Sequence, residues 1–191
     1  MPTTTISSRA SRAVVTLGAL LAATVVVPAA MPHALHAQGT LDDPTIVAIF
    51  DAANTWDIQT GKLAAARGST ADVRQFGRML VHDHTAVRQQ GRDLAAKLHV
   101  TPTPPKDFAM AKDHAAAMAR LRSLHGAAFD TAFLHNEVTF HKAVLDAVTS
   151  TLLPATKNAE VRDLETKVAP AFQAHMMRAQ QLLDQHTHAM R

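Results

Sequence analysis

The chain has 191 residues, a formal net charge of +3, twelve histidines and no cysteine. The missing cysteine excludes disulfides, thiolate metal ligands, cysteine nucleophiles and a lipid-modified cysteine anchor in one step. The charge excludes a nucleic-acid footprint, because removing Arg9 and Arg12 with an expected leader leaves only about +1.

That leader opens the chain. Arg9 and Arg12 precede an uncharged apolar run from Val14 to Val27, Pro28 and Pro32 break the run, and small residues lead to Ala34-Leu35-His36-Ala37. The pattern predicts a signal peptide over residues 1–37, cleaved after Ala37, and a mature domain over 38–191 in the periplasm or secreted, with no membrane span after removal. The other outcome is a retained anchor, since the apolar run approaches the lower limit for spanning a bilayer. About 150 residues are enough to bury a core without disulfide staples.

Asp42-Asp43-Pro44 predicts a helix start, with Asp43 as cap and Pro44 in the first helical position, and a helix to about Arg67. Gly68 ends it, and Ser69 with Asp72 resembles a capping box for the next helix, so the two helices form an antiparallel hairpin. In the second helix Val73, Phe76, Leu80, His84, Val87, Gly91, Leu94 and Leu98 recur at steps of three and four, one apolar stripe with a histidine in a core slot. Gly91 in that stripe predicts close helix approach. Thr101-Pro102-Thr103-Pro104-Pro105 cannot continue the helix.

A shorter helix from Phe108 to about Leu124 is expected in a crossover, with Gly126 interrupting it. The third main helix, Ala127 to Leu152, carries Phe133, Leu134, Glu137, Val138, His141, Val144, Leu145 and Val148 on its apolar side, and Leu153-Pro154 stops it. Asn158 caps the last helix, whose core register holds Val161, Leu164, Val168, Phe172, His175, Ala179 and Leu182. Pro170 inside it predicts a kink. Trp56, Met176 and Met177 are expected to pack into the core, and His82, His114, His125 and His135 to lie at the surface or boundary. His186 and His188 belong to a tail expected to be inert.

Several motifs together carry a resemblance. These are Gly61 to Ala64, Val81 to His84 as Val-His-Asp-His, Gly126 to Asp130 as Gly-x-x-Phe-Asp, Glu137 to His141 as Glu-x-x-x-His, and Pro170 to His175. Over nearly all of the mature chain the sequence resembles the bacterial exported family known as domain of unknown function 4142, placed among ferritin-like bundles. The resemblance implies export and an all-α, ferritin-like four-helix bundle with a short extra helix in the crossover. It implies no activity. Ferritin-like di-iron proteins use Glu-x-x-His pairs, whereas this chain has three glutamates, Glu137, Glu160 and Glu165, and no such pair, so a di-iron oxidase site is not expected.

At about 1.5 Å of rise per residue, Asp57, His84, Glu137, His141 and His175 all fall in the middle third of a bundle roughly 40 Å tall. Imidazoles with carboxylates suit zinc, copper, nickel or non-haem iron. The expected site is a single transition-metal ion held by His84, Glu137, His141 and His175, with Asp57 as a fifth ligand or as a partner orienting an imidazole, and Asp83 as the next candidate. The plainer reading pairs His84 with Asp57 and His175 with Glu137 as satisfied core groups that fix register. It makes the protein a structural or interaction component of the envelope with a protein partner and no metal. An enzyme using one metal and dioxygen or peroxide is the third reading.

Overall fold

A computed structural model describes residues 41–189, and all of the regular structure among these residues is helical. The expected signal peptide, residues 1–37, lies outside the described residues. The elements in order are α1 (Asp43–Arg67), α2 (Ala71–Lys97), α3 (Ala109–Ser123), α4 (Gly126–Ala147), a π turn (Val148–Leu152), the single turn α5 (Leu153–Ala155) and α6 (Ala159–Ala189). No helix among the described residues is long and apolar enough to cross a membrane.

Helix α1 packs most extensively on α2, and α4 on α6; lesser contacts join α2 to α6 and α1 to α4. The four long helices therefore form a square with α1 and α6 on one diagonal. At the upper end, Arg67 donates to the carbonyls of Arg122 and Leu124, and the Ser69 amide donates to Asp130. At the lower end, Lys97 pairs with Glu160, and Asp43 accepts the amides of Lys157 and Asn158. Helices α2 and α4 thus both run downward, and the crossover climbs the full height of the bundle through α3. The four long helices thus make an all-α bundle of two antiparallel hairpins joined by one long crossover.

The helix ends follow the expected chemistry with two shifts of residue. Asp42, not Asp43, caps α1 by accepting the Thr45 amide at 2.9 Å. Thr70, not Ser69, caps α2, accepting the Val73 amide at 3.2 Å. Asp43 and Ser69 are engaged instead by the opposite hairpin. Asn158 caps α6, accepting the amides of Glu160 and Val161. Near Pro154 the chain stays helical through a π turn, with the Leu153 amide donating to the Val148 carbonyl. The wider turn accommodates a residue that cannot donate and crowds the turn before it.

Between α1 and α2 the backbones nearly touch. A Cβ on Gly77 would sit 2.6 Å from both the Ala65 nitrogen and the Gly61 carbonyl oxygen, so only glycine fits this crossing. Half-buried Trp56 holds the crossover in place: its ring centroid lies 5.2 Å from Phe108, 5.3 Å from a stacked His114 and 6.3 Å from Phe140. Met177 departs from expectation, being 62% exposed, because it lies two positions past the inward-facing His175 on α6.

The core is two apolar clusters with a polar layer between them. The upper cluster gathers Ala64, Phe76, Leu80, Phe129, Phe133 and Ala179, and the lower one Ile49, Phe50, Val144, Val148, Val168 and Phe172. On each long helix the residues between the clusters are Asn54 and Asp57, His84, Glu137 and His141, and His175, all buried.

Candidate metal centre

Every long helix delivers a histidine or a carboxylate to one level. The periodic placement of polar residues in otherwise apolar stripes puts them there, and close packing keeps them. Ring centroids are 5.5 Å apart for His84 and His141, 5.1 Å for His84 and His175, and 5.4 Å for His141 and His175. Phe172 stacks on His84 at 5.2 Å as an apolar wall.

The hydrogen bonds decide which nitrogen of each ring is free. His84 Nδ1 lies 2.9 Å from Asn54 Oδ1. The Asn54 amide nitrogen donates to the Phe50 carbonyl at 2.8 Å, which leaves its oxygen for His84, so His84 must donate from Nδ1. His141 Nδ1 lies 3.0 Å from the Glu137 backbone carbonyl, which can only accept. His175 Nε2 lies 2.9 Å from Asp83 Oδ2, again an acceptor. In its neutral form each ring would carry its lone pair on the other nitrogen. Those nitrogens, Nε2 of His84, Nε2 of His141 and Nδ1 of His175, are buried and have no hydrogen-bond partner.

One ligand atom from each of the three histidines lies within 4.8 Å of the others. A tetrahedral ion with bonds of about 2.0–2.1 Å holds its nitrogens about 3.3 Å apart, so the set must draw in by up to about 1.5 Å to hold one. Burial, with the neighbouring histidines adding to it, pushes His84 down to about 2. Burial and then His175 push His141 down to about 3. These two rings are therefore neutral at physiological pH, the state that ligates.

Asp57 and Glu137 form a second group with His141, their ligand atoms also within 4.8 Å of one another. They sit beside the donating edges of the rings: Asp57 Oδ2 is 3.6 Å from His84 Nδ1, and Glu137 Oε2 is 3.6 Å from His141 Nδ1. Burial, with the Glu137 charge second, raises Asp57 well above the carboxylate range. Burial raises Glu137 to about 7 against the opposing bonds from Thr60, Asp57 and Asn136. Two carboxyls this close in a dry core retain a proton between them.

All five residues expected from the sequence are thus buried at one level, divided into a trihistidine face and a carboxyl pair that share His141. The plainer pairing is half met: His84 lies near Asp57, but His175 binds Asp83 and not Glu137. Asn54, which fixes His84, was missed, although it stands three positions before Asp57 on the inward stripe of α1. Glu165 was missed too, because Leu164 took its place in the assumed register of α6. It is buried in the lower core with Thr156 Oγ1 2.9 Å from its Oε2, and burial raises its pKa.

A family model described as Domain of unknown function (DUF4142) matches residues 28–182. No curated protein and no solved structure matches the chain.

Proposed function

Because the chain belongs to the DUF4142 family, which brings no activity with it, its role rests on its own side chains, and we propose that it is an exported bundle that binds one divalent transition-metal ion. His84, His141 and His175 are the ligands. Asn54, the Glu137 carbonyl and Asp83 orient their rings from outside, the arrangement that metal-bound imidazoles require. Asp57 and Glu137 would release the proton they share when a divalent ion enters and so supply countercharge to it in a dry core. A set of three imidazole nitrogens without a thiolate suits copper or zinc, with nickel and iron weaker.

The observation that carries this reading is the trio of buried, unengaged nitrogens turned away from their satisfied partners. A layer that served only to fix helix register would have no use for them, since each buried polar atom without a partner costs about 1–3 kcal/mol. The sealed surroundings favour holding or sensing an ion in the envelope over turning over a substrate.

The test is elemental analysis of the mature protein purified from the periplasm without a histidine tag, with thermal melting before and after chelation. The expected result is one ion per chain and a lower melting temperature for the chelated protein. His84→Ala, His141→Ala and His175→Ala are each expected to abolish retention. Ion content unchanged in all three would overturn the ligand set. A wild-type chain that takes up neither copper nor zinc would leave a register-fixing layer as the better account.

A further inference from the structure

The polar layer is closed on most sides. Asn54, His84, Glu137 and His141 are at most 1% exposed, and apolar clusters lie above and below. Among the described residues, the hydrogen bond from His175 Nε2 to Asp83 Oδ2 leads outward: the His175 side chain is 5% exposed and that of Asp83 is 36% exposed. The bond spans the seam between α2 and α6. It also differs in kind from the other two anchors. His141 is tied to a helix carbonyl, and His84 to an amide that is itself tied to the Phe50 carbonyl. Only His175 is tied to a side chain that reaches solvent.

We infer that Asp83 and His175 form the door of the site: a divalent transition-metal cation docks on the Asp83 carboxylate and is passed inward as the His175 ring turns. This rests on the metal reading above. A hydrated cation cannot cross an apolar wall, so it must exchange its waters for protein donors one at a time. Asp83 offers a charged oxygen at the surface. His175 offers Nε2 on the Asp83 side and the unengaged Nδ1 on its other side. His84 and His141, held by buried acceptors, wait as fixed ligands. Asp83 is a positioning and docking residue here, and the final ligand set remains the three histidines.

The alternative role for Asp83 is static orientation of His175, and kinetics separate the two. Loss of a steering charge lowers the association rate and its salt dependence, whereas loss of a contact in the bound state raises the dissociation rate. Asp83→Asn keeps an oxygen acceptor for His175 and removes the charge. The experiment follows Co2+ uptake by its visible absorption in stopped flow, after an equilibrium titration, in the metal-free mature wild type, Asp83→Asn, and Asp163→Asn as an exposed acid elsewhere on α6.

The expected result is an association rate about 5- to 10-fold slower for Asp83→Asn, with a weaker dependence on ionic strength, a dissociation rate changed less than 3-fold, and no change for Asp163→Asn. Association equal to wild type, or an effect confined to dissociation, would overturn the door while leaving the metal site in place. No Co2+ bound by the wild type at equilibrium would overturn the metal reading and the door with it.

Discussion

Asn54 Oδ1 and His84 Nδ1 face each other at 2.9 Å, and because the Asn54 amide is already committed to the Phe50 carbonyl, the asparagine fixes the tautomer of the histidine. Asn54→Leu removes that acceptor. The His84 N–H is then buried without its partner, at a cost of about 1–3 kcal/mol, and the free nitrogen is no longer specified. Metal affinity is expected to fall by about 10- to 100-fold. Asn54→Asp, which keeps an acceptor, is expected to lose less. Competition titrations with a chromophoric chelator check both, and equal losses for the two variants would show that the tautomer does not depend on Asn54.

The metal-free protein is expected to have its stability maximum at mildly acid pH. Burial holds His84 at about 2 and His141 at about 3 in the folded chain, against an ordinary value of 6.5. The unfolded chain binds more protons between those limits, so stability is lost as pH falls below 6.5 towards the folded values. Glu137 acts in the opposite sense. Its ordinary value of 4.5 is raised to about 7 by burial, so its contribution is full below 4.5 and is lost as pH rises through 7. Asp57 is shifted in the same direction. Between 4.5 and 6.5 the two effects oppose each other, and Asp57, whose ordinary value is 3.8, still opposes the histidines down to that value; below it only the histidines act, and above 6.5 only the carboxyls. Each uncompensated group contributes up to about 1.4 kcal/mol per pH unit. Urea unfolding of chelated protein at acid, mildly acid and alkaline pH measures the profile, and stability still climbing above neutrality would show that the carboxyl pair holds no proton.

Most of the fold was legible because its determinants are local. Caps, a glycine stop, the run of prolines and one apolar stripe per helix give the four long helices and the crossover helix before any packing is considered. The level of the site was legible for the same reason, since helical rise turns sequence position into height. The partners were not. Whether His175 turns to Glu137 or to Asp83 depends on how α2 and α6 are rotated against each other, and a stripe about 100° wide leaves room for either. Ser69 and Asp43 were misplaced because a single helix explains them well, while the structure uses each across the bundle. Glu165 was not legible because Leu164 beside it is the more apolar candidate for the same core slot, yet it is Glu165 that is buried.

Asp130 and Asp43 perform matching tasks at opposite ends, each binding the turn of the hairpin to which it does not belong. Asp130, fully buried, accepts from the Ser69 amide at 2.8 Å, the Ser69 hydroxyl at 2.6 Å and the Thr70 amide at 3.2 Å. Asp43 accepts from the Lys157 and Asn158 amides at 2.9 and 3.0 Å at a partly exposed site. Hydrogen bonds to charged groups contribute about 1.5–3 kcal/mol each, and less where water competes. Asp130→Ala is therefore expected to cost about 3–4 kcal/mol and Asp43→Ala about 1–2 kcal/mol, read from urea midpoints at constant slope. The reverse order would mean that the lower turn, not the upper one, locks the hairpins together.

Two glycines on α2 meet α1 under different constraints, and alanine should tell them apart. A Cβ at Gly77 would meet backbone, 2.6 Å from the Ala65 nitrogen and from the Gly61 oxygen. Neither atom can move without separating the helices along their length, so the overpacking cost of about 1–3 kcal/mol or more falls at its upper end. A Cβ at Gly91 would meet the Phe50 ring at 2.8 and 2.9 Å, the far end of a side chain that can turn. Both substitutions recover up to about 1 kcal/mol because glycine is a poor helix former. The net expectation is a loss of about 2–3 kcal/mol for Gly77→Ala and of at most about 1 kcal/mol for Gly91→Ala. Chemical denaturation of the two variants checks the order. A Gly77→Ala chain as stable as wild type would show that α1 and α2 part readily at their crossing, and the close approach would then have no part in holding Asn54 against His84.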